Sequence, residues 1–217
     1  MLMNRKLNMN EPELRFPEFL NKSGWKEFVL SRILFEHGFK STGKEEVFSV
    51  SVHKGLINQI EHLGRSFSAA NTDHYNLVLP GDIVYTKSPT GDFPYGIIKQ
   101  SRLTKQVIVS PLYGVFTPKT FAIGYILDTY FSSPANTNNY LSPIIQKGAK
   151  NTININNDTF LSKSILLPES NEEQEKLADF LLTIDDVLSN EIQKLEVLRA
   201  HKKGLMQQLF PNVTATV

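Results

Sequence analysis

The sequence has 217 residues, which is enough for one domain with an appendage, because a domain usually takes about 100–200 residues. A hydrophobic fraction of 41% with 14 Phe and 7 Tyr excludes a disordered or collagen-like chain, and the lack of cysteine excludes disulfides, thiolate metal sites and cysteine nucleophiles. No apolar run approaches the length of a signal peptide or a membrane span, so we expect a cytoplasmic protein with no membrane partner.

The net charge of +1 conceals a difference between two parts of the sequence. Residues 1–168 carry 18 Lys and Arg against 13 Asp and Glu, which is +5, whereas residues 169–217 carry 5 against 9, which is −4. A basic body can hold a polyanion such as nucleic acid through its phosphates. Ordinary scatter in surface charge explains an excess of this size equally well, so charge alone leaves both interpretations open.

The first three quarters of the chain are expected to form an N-terminal extension at 1–23 and a mixed α/β body at 24–168. The spacing of apolar residues over Trp25–Glu36 predicts a helix. A second helix is expected at Phe121–Phe131, and a loop with an edge strand at Gln146–Asn157. Short twisted strands are predicted at Val47–Val52, Asp82–Tyr85, Gly96–Lys99 and Gln106–Ser110.

The C-terminal part, residues 169–210, predicts one long helix. Ser170 and Glu173 have the spacing of a capping box, which places the helix start at Asn171. Continuation to Leu209 makes 39 residues, or about 58 Å at ~1.5 Å each. Residues 211–217 are expected to form a disordered tail.

Apolar residues of this helix recur in steps of four and three, which is the coiled-coil period. The ten positions of this seam are Leu177, Leu181, Ile184, Leu188, Glu191, Leu195, Leu198, Lys202, Leu205 and Leu209. Eight of them are apolar, and the other two are Glu191 and Lys202. A helix lying along its own domain is the alternative. We favour pairing with a second helix, because the body is too short to cover the whole length.

The two charged seam positions discriminate between pairing geometries. Parallel pairing of two copies would stack Glu191 on Glu191 and Lys202 on Lys202, whereas antiparallel pairing sets Glu191 against Lys202. We therefore predict an antiparallel homodimer, with Leu177 and Leu181 left to anchor the helix to its own body. The expected interface consists of Ile184, Leu188, Glu191, Leu195, Leu198, Lys202, Leu205 and Leu209.

The sequence lacks the common motifs of catalysis and cofactor binding. It has no GxGxxG, no Walker loop, no HExxH pair and no Asn-Pro-Pro-Tyr motif of an adenine methyltransferase. His37, His53, His62 and His74 lack metal-ligand spacing. We expect no enzyme activity, no metal and no cofactor, although a site assembled from distant residues stays an open alternative.

Several ordered fragments together resemble the DNA specificity subunit of type I restriction-modification systems. They are PELRFPEF, LVLPGDIVYTKS, VSPLYGVFTP, ILLPESNEEQEKLADFLLTIDDVL and KLEVLRAHKKGLMQQLFP. In that family a target-recognition domain reads one half of a split DNA sequence, and a long helix sets the distance between halves. The resemblance implies that residues 24–168 are such a domain, and that the chain binds double-stranded DNA without chemistry of its own.

A full specificity subunit carries two recognition domains and two helices, whereas this sequence has one of each and so resembles a half-subunit. Two copies about a two-fold axis would read a two-part palindrome. The resemblance implies adenine methyltransferase subunits as partners, and restriction subunits in a complete complex. S-adenosylmethionine and ATP would belong to those partners. A coiled-coil adaptor that binds no DNA is the competing interpretation.

Four loops carry the residue types that contact DNA, since Arg, Asn and Gln read bases and Lys mostly meets phosphate. A solvated surface charge is the alternative for each of these residues. The candidate contacts are Lys40, Ser41, Thr42 and Lys44; Thr86, Lys87 and Ser88; Lys99, Arg102 and Lys105; and Lys147, Lys150, Asn151 and Asn154.

Overall fold

A computed structural model describes residues 11–60, 72–147 and 153–210 of the protein. By its internal contacts the chain divides into two compact units, one ending at Ala178 and one beginning at Asp179. The first unit is mixed α/β, as expected from the sequence, and the second is helical. The finer division at 23, 168 and 210 stays a prediction.

The segment predicted as a helix at Trp25–Glu36 is extended, so that prediction is wrong. It forms strand β1 (Trp25–Val29), a 3-10 turn (Leu30–Arg32) and strand β2 (Leu34–Phe35). Strand β1 pairs antiparallel with β12 (Ser164–Pro168), and this distant partner outweighs the local helical spacing.

The predicted strands of the body are confirmed, with shifts of one or two residues at their ends. The centre of the fold is a four-stranded sheet in the order β2-β9-β6-β7, flanked by the pairs β3-β4 and β5-β8. All of these neighbours are antiparallel. The bounds are β3 Phe48–Ser51, β4 Gly55–Asn58, β5 Asn76–Val78, β6 Ile83–Tyr85, β7 Ile98–Gln100, β8 Val107–Val109 and β9 Gly114–Pro118.

Three helices of the first unit follow the sheet in sequence. They are α1 (Phe121–Phe131), α2 (Pro134–Leu141) and α3 (Asn157–Leu161), and the prediction for α1 is confirmed. Strands β10 (Gln146–Lys147) and β11 (Ile153–Asn154) pair within the segment where a loop and an edge strand were expected.

An aromatic cluster joins these helices to the sheet. Phe160 of α3 is fully buried and stacks on Tyr85 and Phe116, with ring centroids 4.7 Å and 5.3 Å away. Tyr140 of α2 donates a hydrogen bond from its hydroxyl to the Phe160 carbonyl at 2.6 Å. Burial raises the pKa of Tyr85 and of Tyr140, so both stay neutral phenols. These contacts connect helices α2 and α3 with strands β6 and β9.

The long helix α4 runs over Asn171–Leu209, as predicted. Its first two turns, to Ala178, belong to the first unit and bury Glu173, Gln174 and Ala178. Most of the large apolar side chains of the second unit are exposed, Leu195 by 46% and Leu198 by 56%. Within the three described ranges, no helix combines the length and apolarity that crossing a bilayer requires.

Candidate nucleic-acid interface

The β6–β7 hairpin begins at a buried carboxylate, Asp82, which holds three neighbouring segments. Its Oδ2 accepts hydrogen bonds from the Leu79 amide at 2.8 Å and from His37 Nε2 at 2.9 Å, and its Oδ1 accepts from the Thr117 hydroxyl at 2.7 Å. The Phe39 amide donates to Nδ1 of His37, so the ring proton lies on Nε2 and points at Asp82. Asp82 therefore ties β9 and the chain after β2 to the start of β6.

The loop that leaves β6 carries the candidates Thr86, Lys87 and Ser88. Thr86 is buried, and its hydroxyl accepts a hydrogen bond from the Ile97 amide at 3.1 Å, so it supports the loop from inside. Lys87 has a left-handed backbone with φ +56°, which is uncommon for a residue other than glycine. A Cβ at Gly96 would lie 2.8 Å from the Lys87 amide nitrogen, so the close approach of the two backbones requires glycine there.

Lys87 is half-buried in this loop and Ser88 is exposed. Burial lowers the pKa of Lys87, and the charge of Glu36 acts in the opposite direction. An ammonium that has already lost part of its water binds an added anion with less further desolvation. The loop thus presents one partly buried cation and one exposed hydroxyl.

The opposite end of the hairpin carries Lys99, Arg102 and Lys105. Lys99 Nζ lies 3.0 Å from Oδ1 of Asp128, and both side chains are almost enclosed, so this pair holds β7 to α1. The Arg102 guanidinium lies over the Tyr125 ring, 4.6 Å from its centroid, and 3.7 Å from the Asp128 carboxylate. About half of the Arg102 side chain, 49%, is exposed, while these contacts hold the plane of the guanidinium.

Of Lys99, Arg102 and Lys105, Lys105 has the most exposed side chain. Its Nζ lies 2.7 Å from Glu46 Oε1 and above the Phe48 ring, 5.8 Å from its centroid. The hydrogen bond from Lys105, together with its charge, lowers the pKa of Glu46. The contact links two of the four predicted loops, because Glu46 lies two residues after the first of them.

That first loop is organised around Glu45. The Ser41 hydroxyl donates to Glu45 Oε2 at 3.1 Å, and the Thr42 hydroxyl donates to Oε1 at 2.6 Å. These donors, Thr42 first, lower the pKa of Glu45 to about 2. Lys40 donates to Asn76 Oδ1 at 2.5 Å, and Lys44 is exposed. The lysines face outward, whereas the hydroxyls are turned inward to the carboxylate.

The fourth predicted loop is described only in part. The backbones of Lys147 and Asn154 lie in the paired strands β10 and β11. Their side chains, and Lys150 and Asn151 altogether, lie outside the described residues.

Sequence reasoning did not find the acidic residues that hold the cations in place. Glu46 and Asp82 gave no signal beyond their position next to a strand. Asp128 did carry one, because it is the single acid in the apolar helix α1, and a buried carboxylate needs a cation or several donors. Among the described residues no group of three potential ligands is placed to hold a metal ion.

These features define a class of protein: a mixed α/β domain whose surface loops carry cations, followed in sequence by a long helix with exposed apolar side chains. A sequence model of the type I restriction modification DNA specificity domain matches residues 41–200, which is most of the chain. The protein belongs to this family.

The chain is also similar to two solved structures. One, from work on complex assembly and conformational transition of the type I R-M system, has 13% identity and a TM-score of 0.51, covering 95% of this chain and 53% of the other. The second is the HsdS subunit from Thermoanaerobacter tengcongensis, with 15% identity and a TM-score of 0.42, covering 83% and 41%. This chain thus spans about half the length of the structures it matches. No curated protein matches the sequence.

Proposed function

We propose that the protein is the sequence-reading component of a type I restriction-modification complex, and that one chain reads one half of a bipartite DNA target. The family match over residues 41–200 carries this proposal, since its members are DNA specificity domains. In this role the protein places adenine methyltransferase subunits, and restriction subunits where a system has them, over the target. The lack of catalytic motifs in the sequence agrees with a protein that positions other subunits.

The DNA contact is assigned to the exposed members of the predicted loops. Arg102 supports this assignment best, because stacking on Tyr125 fixes its plane while half of the side chain faces solvent. Lys87 and Ser88 act from the other end of the hairpin, and Lys40, Lys44 and Lys105 supply phosphate contacts. Thr86 and Lys99 are given a supporting role. Ser41 and Thr42 are also given a supporting role, because their hydroxyls donate to the Glu45 carboxylate and orient it.

The second half of the target is assigned to a second copy, paired through α4. The exposed seam supports this, with Leu188 55% and Leu195 46% exposed in the single chain. Glu191 lies 3.7 Å from Lys194 of its own helix, and both are about two-thirds exposed, so it is free to exchange this weak contact for Lys202 of a partner. Burial of the leucines on both helices supplies the driving force.

The test is retention on duplex DNA with methyltransferase subunits present, over a series of salt concentrations. Arg102→Ala is expected to weaken specific binding by about tenfold or more, since a good bidentate base contact contributes about 1–3 kcal/mol. If Arg102 contacts a phosphate instead, Arg102→Ala reduces the slope of log affinity against log salt concentration by about one unit. Binding to all DNA sequences then weakens to the same extent.

Lys54→Ala is the matched control, because Lys54 is an exposed cation in the β3–β4 turn, outside the four loops. It is expected to leave specific binding unchanged. Complexes that form with methyltransferase subunits but show no salt-dependent retention on DNA would favour the coiled-coil adaptor and refute the proposal.

A further inference from the structure

The base of α4 contains a buried ion pair with the N-terminal segment. Arg15 Nε donates to Glu173 Oε1 at 2.8 Å and Arg15 Nη2 donates to Glu173 Oε2 at 2.7 Å, which is a two-point contact between planar groups. The two side chains are only 4% and 2% exposed. The Trp25 indole donates a third hydrogen bond to Glu173 Oε1 at 3.2 Å.

This arrangement replaces half of the capping box predicted from the sequence. The Ser170 hydroxyl accepts from the Glu173 amide at 3.4 Å, as a helix cap should. The Glu173 carboxylate is turned away from the helix end toward Arg15 and Trp25. Next to it, the buried Gln174 side chain donates to the Pro168 carbonyl at 2.8 Å, so the helix start is also tied to strand β12.

Other contacts around the same turn are of a different kind. Lys22 with Glu172, Lys26 with Glu169, and Lys176 with Glu18 form ion pairs whose side chains are about half exposed or more. Exposed pairs of this sort contribute little to stability. The Arg15–Glu173 pair is distinguished by burial and by its fixed geometry.

A buried ion pair is a poor source of stability, because taking both charges out of water offsets most of their attraction. Its geometric effect is greater, since a two-point contact between planes fixes an angle as well as a distance. That angle matters for a helix that acts as a ruler. From Glu173 to the expected dimer axis between Leu195 and Leu198 the helix rises about 35 Å, so a tilt of about 5° at its base moves the axis by roughly 3 Å. This is close to the rise of one base pair, about 3.4 Å.

We propose that Arg15 and Glu173 are positioning residues that set the DNA spacer length by fixing the direction of the first turns of α4. The inference rests on the proposed function, since a spacer exists only if two recognition domains read one DNA. It assigns a specificity role to residues that need not touch DNA.

The experiment measures binding of the complex with methyltransferase subunits to duplexes whose two half-sites are separated by the preferred spacer or by one base pair more or less. Glu173→Gln keeps the shape of the side chain and removes its charge, and Arg15→Lys keeps the charge and loses the two-point contact. Both are expected to reduce the preference for the correct spacer about threefold or more, with binding to that spacer less affected. Glu172→Gln is the matched control, because it removes only an exposed pair in the same turn.

An equal loss of affinity on every spacer, or a change in thermal stability alone, would make the pair merely structural and overturn the inference. If Glu173→Gln does not fold, the milder Arg15→Lys decides, and failure of both to fold is also a structural result. If the unaltered complex binds DNA with no preference for spacer length, the proposal that the target is bipartite is refuted. This outcome is distinct from failure of the inference about Arg15 and Glu173.

Discussion

Removal of the Asp82 carboxylate is the most direct test of how the segments next to the candidate loops are held. Asp82→Ala leaves three partly buried donors without their acceptor: the Leu79 amide, His37 Nε2 and the Thr117 hydroxyl. A hydrogen bond to a charged group contributes about 1.5–3 kcal/mol, and some of the freed donors find new partners after relaxation. We therefore expect the free energy of unfolding to fall by about 4 kcal/mol, close to the upper end for one substitution.

Asp82→Asn separates the number of hydrogen bonds from the charge. The amide oxygen can still accept from Leu79 and His37, and the Thr117 hydroxyl can rotate to accept from the amide nitrogen. All three bonds lose their charge assistance, and the bond with Thr117 also reverses its direction, while the side-chain volume stays nearly the same. The expected loss is about 1.5 kcal/mol, less than half of that for alanine.

The assay is urea unfolding followed by the fluorescence of Trp25, the single tryptophan, which lies in the same compact unit as Asp82. Asp92→Ala provides the control, because Asp92 is exposed in the loop between β6 and β7 and its loss is expected to cost under about 0.5 kcal/mol. An Asp82→Ala protein within about 1 kcal/mol of the wild type would refute the network as a support. Equal losses of unfolding free energy for Asp82→Ala and Asp82→Asn would show that the asparagine side chain does not form the expected neutral hydrogen bonds.

Two further predictions concern the seam and the first loop. Glu191→Lys should weaken the predicted antiparallel dimer about 100-fold or more, because it sets one lysine of each copy against Lys202 of the other. Glu191→Lys combined with Lys202→Glu should restore the dimer. Light scattering across a dilution series measures both variants, and equal dimerisation of the single variant would exclude this register. Glu45 has a pKa of about 2 in the folded protein against an ordinary 4.5, so its contribution to stability is present above pH 4.5 and is lost as the pH falls toward 2. Thr42→Ala should raise the pKa of Glu45 toward 4.5 in an NMR titration of its carboxyl carbon, whereas Lys44→Ala should not, and an unchanged value for Thr42→Ala would show that the hydroxyl is not the main cause.

What the sequence predicted well was encoded locally. The start of α4 follows from Ser170 and the acids of its first turn, and its length follows from a regular apolar period. The helix α1 and the short strands likewise depend on neighbours within about ten residues.

What the sequence did not reveal depends on distant partners. The helical spacing of apolar residues at Trp25–Glu36 was misleading, because β1 pairs with a strand near residue 165. No local sequence pattern indicates this pairing. The loops show the same limit, since Lys105 meets Glu46 59 residues away. A list of cations in loops therefore identified where charge lies, but not which side chains the fold engages internally, such as Lys99 against Asp128.

The pairing of β1 with β12 has a consequence for how the body is joined to the rest of the chain. Trp25 lies opposite Pro168, so the polypeptide enters and leaves the body at adjacent points of one two-stranded ribbon. The segment between these points, which carries the candidate loops, is joined to the rest of the chain through this one ribbon. The ribbon therefore closes the body at a single neck, and a change in the loops need not disturb that closure.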